Sequence, residues 1–198
     1  MNAPPLLLKT FAAPLELRSQ RTLLRRWTDA DAPPWVAMNA DPQVRRHFER
    51  TNTEAEALAE LRRMRDNLER RGWGMWALEI PGRIGCAGTV GLHVTGIDLA
   101  CVPCVELGWR LAADAWGQGY ASEAARAACH FAFEQLGLDE LVAYTAAVNE
   151  ASRSVMQRLG MQHDPLGNFV HPFVAPEHPV APHVLYRLSR ADFHNAKP

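Results

Sequence analysis

Val105-Glu-Leu-Gly-Trp-Arg-Leu111 runs through Ala112-Ala-Asp-Ala-Trp-Gly-Gln-Gly-Tyr-Ala-Ser-Glu-Ala124 into an amphipathic segment closed by Gly137. A second apolar run and Asn149-Glu-Ala-Ser-Arg-Ser-Val-Met-Gln-Arg-Leu-Gly-Met161 follow. Alternation and β-branched or aromatic content predict a strand over Val105 to Leu111, and the breakers from Ala112 to Gly119 end it. From Ala121 to Leu136 small or apolar residues share one face, while Ser122, Arg126, His130 and Glu134 recur every four residues on the other, which predicts a helix. Asp139 to Val148 is nearly continuous in apolar residues, as a strand covered on both faces requires. The unit reads as strand, crossover helix and parallel strand.

The glycine turn lies where the first strand becomes the helix. Without Cβ atoms, Gly117 and Gly119 let main-chain N–H groups close on a ligand, and the helix N-terminus adds unpaired donors and a positive dipole end. Such a turn suits a phosphate, with a tight connection as the other reading. A dinucleotide fingerprint fails because Ser122 replaces the third glycine and Asp139 opens the next strand instead of ending it. A Walker loop fails because no Lys-Ser or Lys-Thr follows the glycines.

Trp116-Gly-Gln-Gly-Tyr-Ala121 resembles the (Arg/Gln)-x-x-Gly-x-(Gly/Ala) pyrophosphate loop of the GNAT superfamily of acyl-CoA N-acyltransferases. Glu106-Leu-Gly-Trp109, the Tyr-Ala-Ser-Glu-Ala helix start, Asn149-x-x-Ser152 and Leu159-Gly-Met161 resemble its RimJ/RimL-like branch, which acetylates protein N-terminal amines and small amines. Four motifs in order cover about a third of the chain. Trp116 departs from the Arg or Gln common in the superfamily, leaving the backbone contacts to stand.

The resemblance implies a mixed α/β fold. Its central sheet is mostly antiparallel with one parallel βαβ crossover, splays between the two central strands, and carries helices on both faces. It implies acetyl-CoA as cosubstrate, with no metal. The pyrophosphate would lie on Trp116, Gly117, Gln118, Gly119, Tyr120, Ala121 and Ser122, and the pantetheine arm along the strand edge at Trp109 to Leu111. Asn149 would bond the pantetheine amides, and Arg153 and Arg158 would reach CoA phosphates, with surface charges as the alternative.

Transfer to nitrogen needs a neutral amine. With reference pKa values of ~7.7–8.0 for an α-amine and ~10.4 for lysine, a base must do far more for a lysine acceptor. Glu106, a carboxylate on the central strand near the cleft, is the candidate base, a structural salt bridge being its alternative. Ser152 is the candidate proton donor to the departing thiolate, with helix capping beside Asn149 as its other role. Cys129 and Cys86 fall within a helix and a strand, so direct transfer is expected in preference to an acyl-enzyme. The expected partner is an amine acceptor, either a protein N-terminus or a small molecule, with a homodimer left open. A non-catalytic acyl-CoA sensor or scaffold is the alternative.

Outward from this core, 198 residues suit one domain, expected over 15–198 behind a flexible tail at 1–14. With 47% hydrophobic and 22% charged residues the composition is that of a soluble globular protein. A net charge of -1 argues against non-specific nucleic-acid binding. Leu6-Leu-Leu8 is too short for a signal core and no segment approaches membrane-spanning length, so a cytoplasmic location is expected. Cys101-Val-Pro-Cys104 has redox or half-zinc-site spacing without a second such pair, and a zinc or redox protein ranks last.

Leu15 to Trp27 contains a strand, best seen over Arg21 to Arg26, followed by a helix capped at Asp29 or Asp31 with Pro33 and Pro34 in its first turn. Thr53-x-x-Glu56 opens a second helix with an apolar stripe at Leu58, Leu61, Met64 and Leu68 and an end at Arg70-Arg71-Gly72. In the resembling family this pair borders the acceptor site, which puts Arg45, Arg46 and His47 within reach of substrate. Trp73 to Ile80 and Arg83 to Leu92 read as a hairpin around Pro81-Gly82. Trp73 and Trp76 fall on opposite faces, one for the core and one for an acceptor pocket. After Met161, His163, His171, His178 and His183 lie in an irregular, proline-broken stretch without ligand spacing, and His183 to Leu188 is a final strand.

Overall fold

The computed structural model describes residues 8–97 and 104–195. Short strands β1 (Leu17–Arg18) and β2 (Leu23–Arg25) replace the single strand expected before Trp27. A 3-10 turn at Asp29–Asp31 leads into α1 (Ala32–Ala40), and α2 (Pro42–Arg45) follows, capped by Asp41. In α3 (Glu54–Arg71) the capping box forms as the sequence requires. Thr53 Oγ1 accepts from the Glu56 N–H at 3.3 Å and Glu56 Oε2 accepts from the Thr53 N–H at 2.8 Å.

Next come β3 (Met75–Ile80), β4 (Ile84–Val94) and β5 (Val105–Leu111). The crossover helix α4 (Tyr120–His130) widens into a π-helical turn at Phe131–Leu136 before Gly137 and β6 (Glu140–Ala146). The chain finishes with α5 (Glu150–Arg158), β7 (Gln162–Val170), β8 (Pro182–Ser189) and α6 (Arg190–Asn195).

Among the described residues the strands form one eight-stranded sheet, ordered β1-β2-β3-β4-β5-β6-β8-β7. Only β5 and β6 run parallel among the described residues, as the crossover predicts, and a single pair, Glu106 opposite Val142, joins them. The two strands therefore splay beyond Glu106. Strand β7 corrects the reading of 162–170 as irregular. Asp164, Pro165 and Gly167 erase the strand pattern, a bulge between Asp164 and Phe169 absorbs them, and most of the strand is exposed on the sheet edge.

The register sorts the side chains by face. Arg110, Thr89 and Ala77 align on one face, where Arg110 pairs with Glu60 of α3 at 3.0 Å. Trp109, Val90 and Trp76 align on the other, where Trp76 meets Phe131 edge-on at 5.5 Å. Helices thus cover both faces. Trp73 and Trp76 are both fully buried. Each indole N–H finds a carbonyl, Lys9 for Trp73 at 2.9 Å and Leu15 for Trp76 at 2.8 Å, as burial of that donor demands. Phe11 packs against Phe131 at 5.6 Å beside the Lys9 bond.

Candidate active site

The turn after β5 takes the conformation that its glycines permit. Gly117 and Gly119 have φ values of 71° and 83°, left-handed geometry that costs other residues about 1–2 kcal/mol. Gly119 is the N-cap of α4, so the first main-chain N–H groups of the helix lack intrahelical acceptors. A Cβ added at Gly117 would meet nothing within 4 Å, leaving room for a ligand against the backbone. Ser122 adds a buried hydroxyl oxygen without a hydrogen-bond partner. Open donors, free space and an orphaned hydroxyl fit a diphosphate.

Three side chains hold the turn. Arg21 binds Glu123 through Nε at 2.7 Å and the Gln118 carbonyl through Nη1 at 3.1 Å, with its guanidinium 5.0 Å from the Tyr120 ring centre. Arg83 donates to the Tyr120 hydroxyl at 2.7 Å and to Gln118 Oε1 at 3.1 Å. Trp116, the departure from the family pattern, donates to the Leu111 carbonyl at 2.9 Å and stacks under Arg46 at 5.2 Å, so it braces the turn.

The turn, the splay and the inner face of α3 enclose a cavity of about 1090 Å³. Trp109, Leu111, Trp116 to Ser122, Asn149, Ser152 and Arg158 all border it, as does Glu106. Arg153 does not. Its guanidinium donates to the Ala147 carbonyl at 3.3 Å.

Glu106 is 7% exposed on the sheet floor. His93 lies directly opposite across β4 and β5, with Nε2 3.0 Å from Glu106 Oε2. That contact lacks the alignment of a hydrogen bond, so charge attraction dominates it. Burial opposes a charged His93, but the Glu106 carboxylate outweighs it and raises His93 above the ordinary histidine value. Tyr144 on β6 borders the same cavity as Glu106. Burial first, and then the Glu106 charge, push its phenol upward, so it remains a protonated donor.

At the start of α5, Asn149 supplies the cap. Its Oδ1 accepts from the Ser152 N–H at 3.2 Å, and its Nδ2 donates to Thr145 Oγ1 and to Ser152 Oγ, each at 3.0 Å. Both amide hydrogens of Asn149 are therefore engaged. Ser152 accepts from Asn149 and keeps its own O–H free to donate.

On the α3 side, Arg63, Asn67 and Arg71 line the cavity with Arg46 and His47, whereas Arg45 turns to the Arg50 carbonyl and Asn52. On the far side are His171 and His183, ring centres 4.8 Å apart. Burial lowers both, which keeps them neutral at pH 7. Among the described residues no group of three His, Cys, Asp or Glu could hold a metal ion. Cys101 of the Cys101–Cys104 pair lies outside the described residues. Burial raises the Cys86 and Cys129 thiols to about 11 and about 12, and neither borders the cavity.

Sequence reasoning missed His93, Tyr144 and Arg71. Only sheet register places His93 opposite Glu106, and the alternation of β4 was its one available signal.

Comparison with known proteins agrees with this geometry. The family model described as "Acetyltransferase (GNAT) domain" matches residues 21–162. An "Uncharacterized N-acetyltransferase YoaA" of Bacillus subtilis is 25% identical over 150 residues, covering 75% of this chain and 83% of that protein. An "FsC-acetyl coenzyme A-N(2)-transacetylase" of Aspergillus fumigatus is 48% identical over 58 residues, a match spanning 29% of this chain and only 25% of that protein. The crystal structure of an acetyltransferase from Agrobacterium tumefaciens superposes with a TM-score of 0.72 at 27% identity, covering 92% of this chain and 98% of that one. With the family match spanning most of the sheet and the whole glycine turn, the chain belongs to the GNAT acetyltransferase family.

Proposed function

We propose that the protein is an acetyl-CoA-dependent N-acetyltransferase of the RimJ/RimL-like branch, moving an acetyl group directly to a primary amine in a ternary complex. The observation carrying this reading is that a buried carboxylate, Glu106, at the paired end of the splay, and the open glycine turn that follows β5 border one cavity. The N–H groups from Gly117 to Ser122 would take the pyrophosphate and the free edge of β5 the pantetheine amides. The bound cosubstrate supplies an activated acetyl thioester.

The residues of the chain handle the protons. Glu106 accepts a proton from the acceptor ammonium, directly or through one water, leaving a nitrogen lone pair for attack. His93 holds that carboxylate in place, with the Tyr144 phenol on the neighbouring strand. Ser152, with its O–H free, stabilises the departing thiolate. A thiol near pKa ~8.5 leaves tolerably without full protonation, so this contribution is the smaller one. Asn149 positions Ser152 and caps α5.

Thermal unfolding with acetyl-CoA, CoA and NAD tests the cosubstrate. A ligand at 100 times its dissociation constant adds ~2.7 kcal/mol to folding stability. Stabilisation by both CoA species but not NAD is expected, and no shift with either CoA species removes the reading.

A further inference from the structure

Two cationic side chains in the cavity have no role in the account above. Of the lining arginines, Arg110 is committed to Glu60 at 3.0 Å, Arg46 stacks on Trp116 beside the turn, and Arg158 stands on the α5 side. Arg63 and Arg71 remain. Among the described residues neither has a carboxylate partner, and the Arg71 guanidinium rests 5.5 Å from the Trp73 ring centre.

Asn67 lies between them on the same face of α3 and accepts from Arg70 through Oδ1, which turns its two amide hydrogens to use elsewhere. The wall therefore offers charged and neutral donors with no acceptor of their own. Glu106, the buried carboxylate, lines the same cavity. The Arg71 charge also acts on His93, the residue in contact with Glu106.

A cavity lined by a carboxylate and by guanidinium and amide donors complements a molecule carrying both an ammonium and a carboxylate. Guanidinium matches a carboxylate with two parallel N–H bonds, a geometry that lysine cannot supply. We propose that Arg71, with Asn67 and Arg63, forms a carboxylate-binding subsite, and that the acceptor is a small amine bearing a free carboxylate, of amino-acid type. This rests on the amine-acetylation reading above. It sets such molecules apart from a protein N-terminus, where an amide occupies the position of the α-carboxylate.

The test is thiol release from acetyl-CoA with each common L-amino acid beside its own carboxamide, in the wild type and in the Arg71→Gln and Arg71→Lys variants, with thermal melts to confirm folding. The wild type should prefer at least one acid over its carboxamide in kcat/KM by about tenfold or more, the worth of a charged hydrogen bond. Arg71→Gln should collapse that ratio, and Arg71→Lys should keep part of it. A ratio of one or less, or a ratio that Arg71→Gln leaves intact, overturns the proposal. So does acetylation confined to peptides, which would leave N-acetyl transfer standing. Absence of both turnover and stabilisation by acetyl-CoA would instead bring down the reading beneath it.

Discussion

His93 and Glu106 stand in register on adjacent antiparallel strands, Nε2 3.0 Å from Oε2, so the candidate base sits against a histidine whose protonated form it favours. The carboxylate raises His93 above its unfolded value of about 6.5, so the folded state binds the proton more tightly than the unfolded chain. The resulting stability is fully present below that unfolded value and is lost as pH rises through the raised one. The wild type should therefore exceed His93→Asn in unfolding free energy by more at about pH 5.5 than at about pH 9. Denaturant melts at both pH values measure this, and an equal or reversed gap would mean that the contact does not bind the proton.

Replacing Glu106 by Gln keeps the shape of the sheet floor and removes the base. Turnover should fall about 100-fold or more, most severely at low pH where the amine is almost wholly protonated. Acetyl-CoA affinity should hold, because Glu106 lies near the start of β5 and the turn follows the strand's other end. Rates matching the wild type at every pH would remove Glu106 from the mechanism.

Asn149 and Ser152 share one network but differ in what they support. Asn149→Ala loses the bond from Oδ1 to the Ser152 main-chain N–H and should cost about 1 kcal/mol of stability. Ser152→Ala keeps that bond, so it should melt near the wild type while turning over about tenfold more slowly, less than a full acid–base contribution. If Ser152→Ala retained full turnover, the hydroxyl would be left with only its structural bond to Asn149.

Gly117→Ala separates fold from ligand. With φ at 71° and open space around the added Cβ, only backbone strain of about 1–2 kcal/mol should enter the free protein. The methyl would then occupy the space assigned to the pyrophosphate, so acetyl-CoA affinity should fall further than stability does. Calorimetry of both quantities checks this, and intact affinity would place the pyrophosphate elsewhere.

Local chemistry made half of the site legible in the sequence. The turn at Gly117 to Ser122, the Thr53–Glu56 box and the Asn149 helix start each act over three to six residues, within reach of a motif. The parallel crossover was legible because its strands and helix follow one another. What escaped depends on register. His93, Tyr144 and Glu106 come from three strands and meet only once the sheet aligns them. Arg71 read as a C-terminal helix cation, and nothing local shows that α3 places it on the cavity wall. Strand β7 escaped because Pro165 and Gly167 suppress its own preference, and pairing with β8 supplies what the segment lacks.

The most direct test of the central claim is acetyl-CoA-dependent thiol release across a panel of primary amines, with the acetylated product identified by mass, run on the wild type and Glu106→Gln. The account predicts saturable release matched by N-acetylated amine in the wild type and severe loss in the variant. Binding of acetyl-CoA with no amine acetylated under any condition would contradict it and leave a protein that holds acyl-CoA without transferring the acyl group.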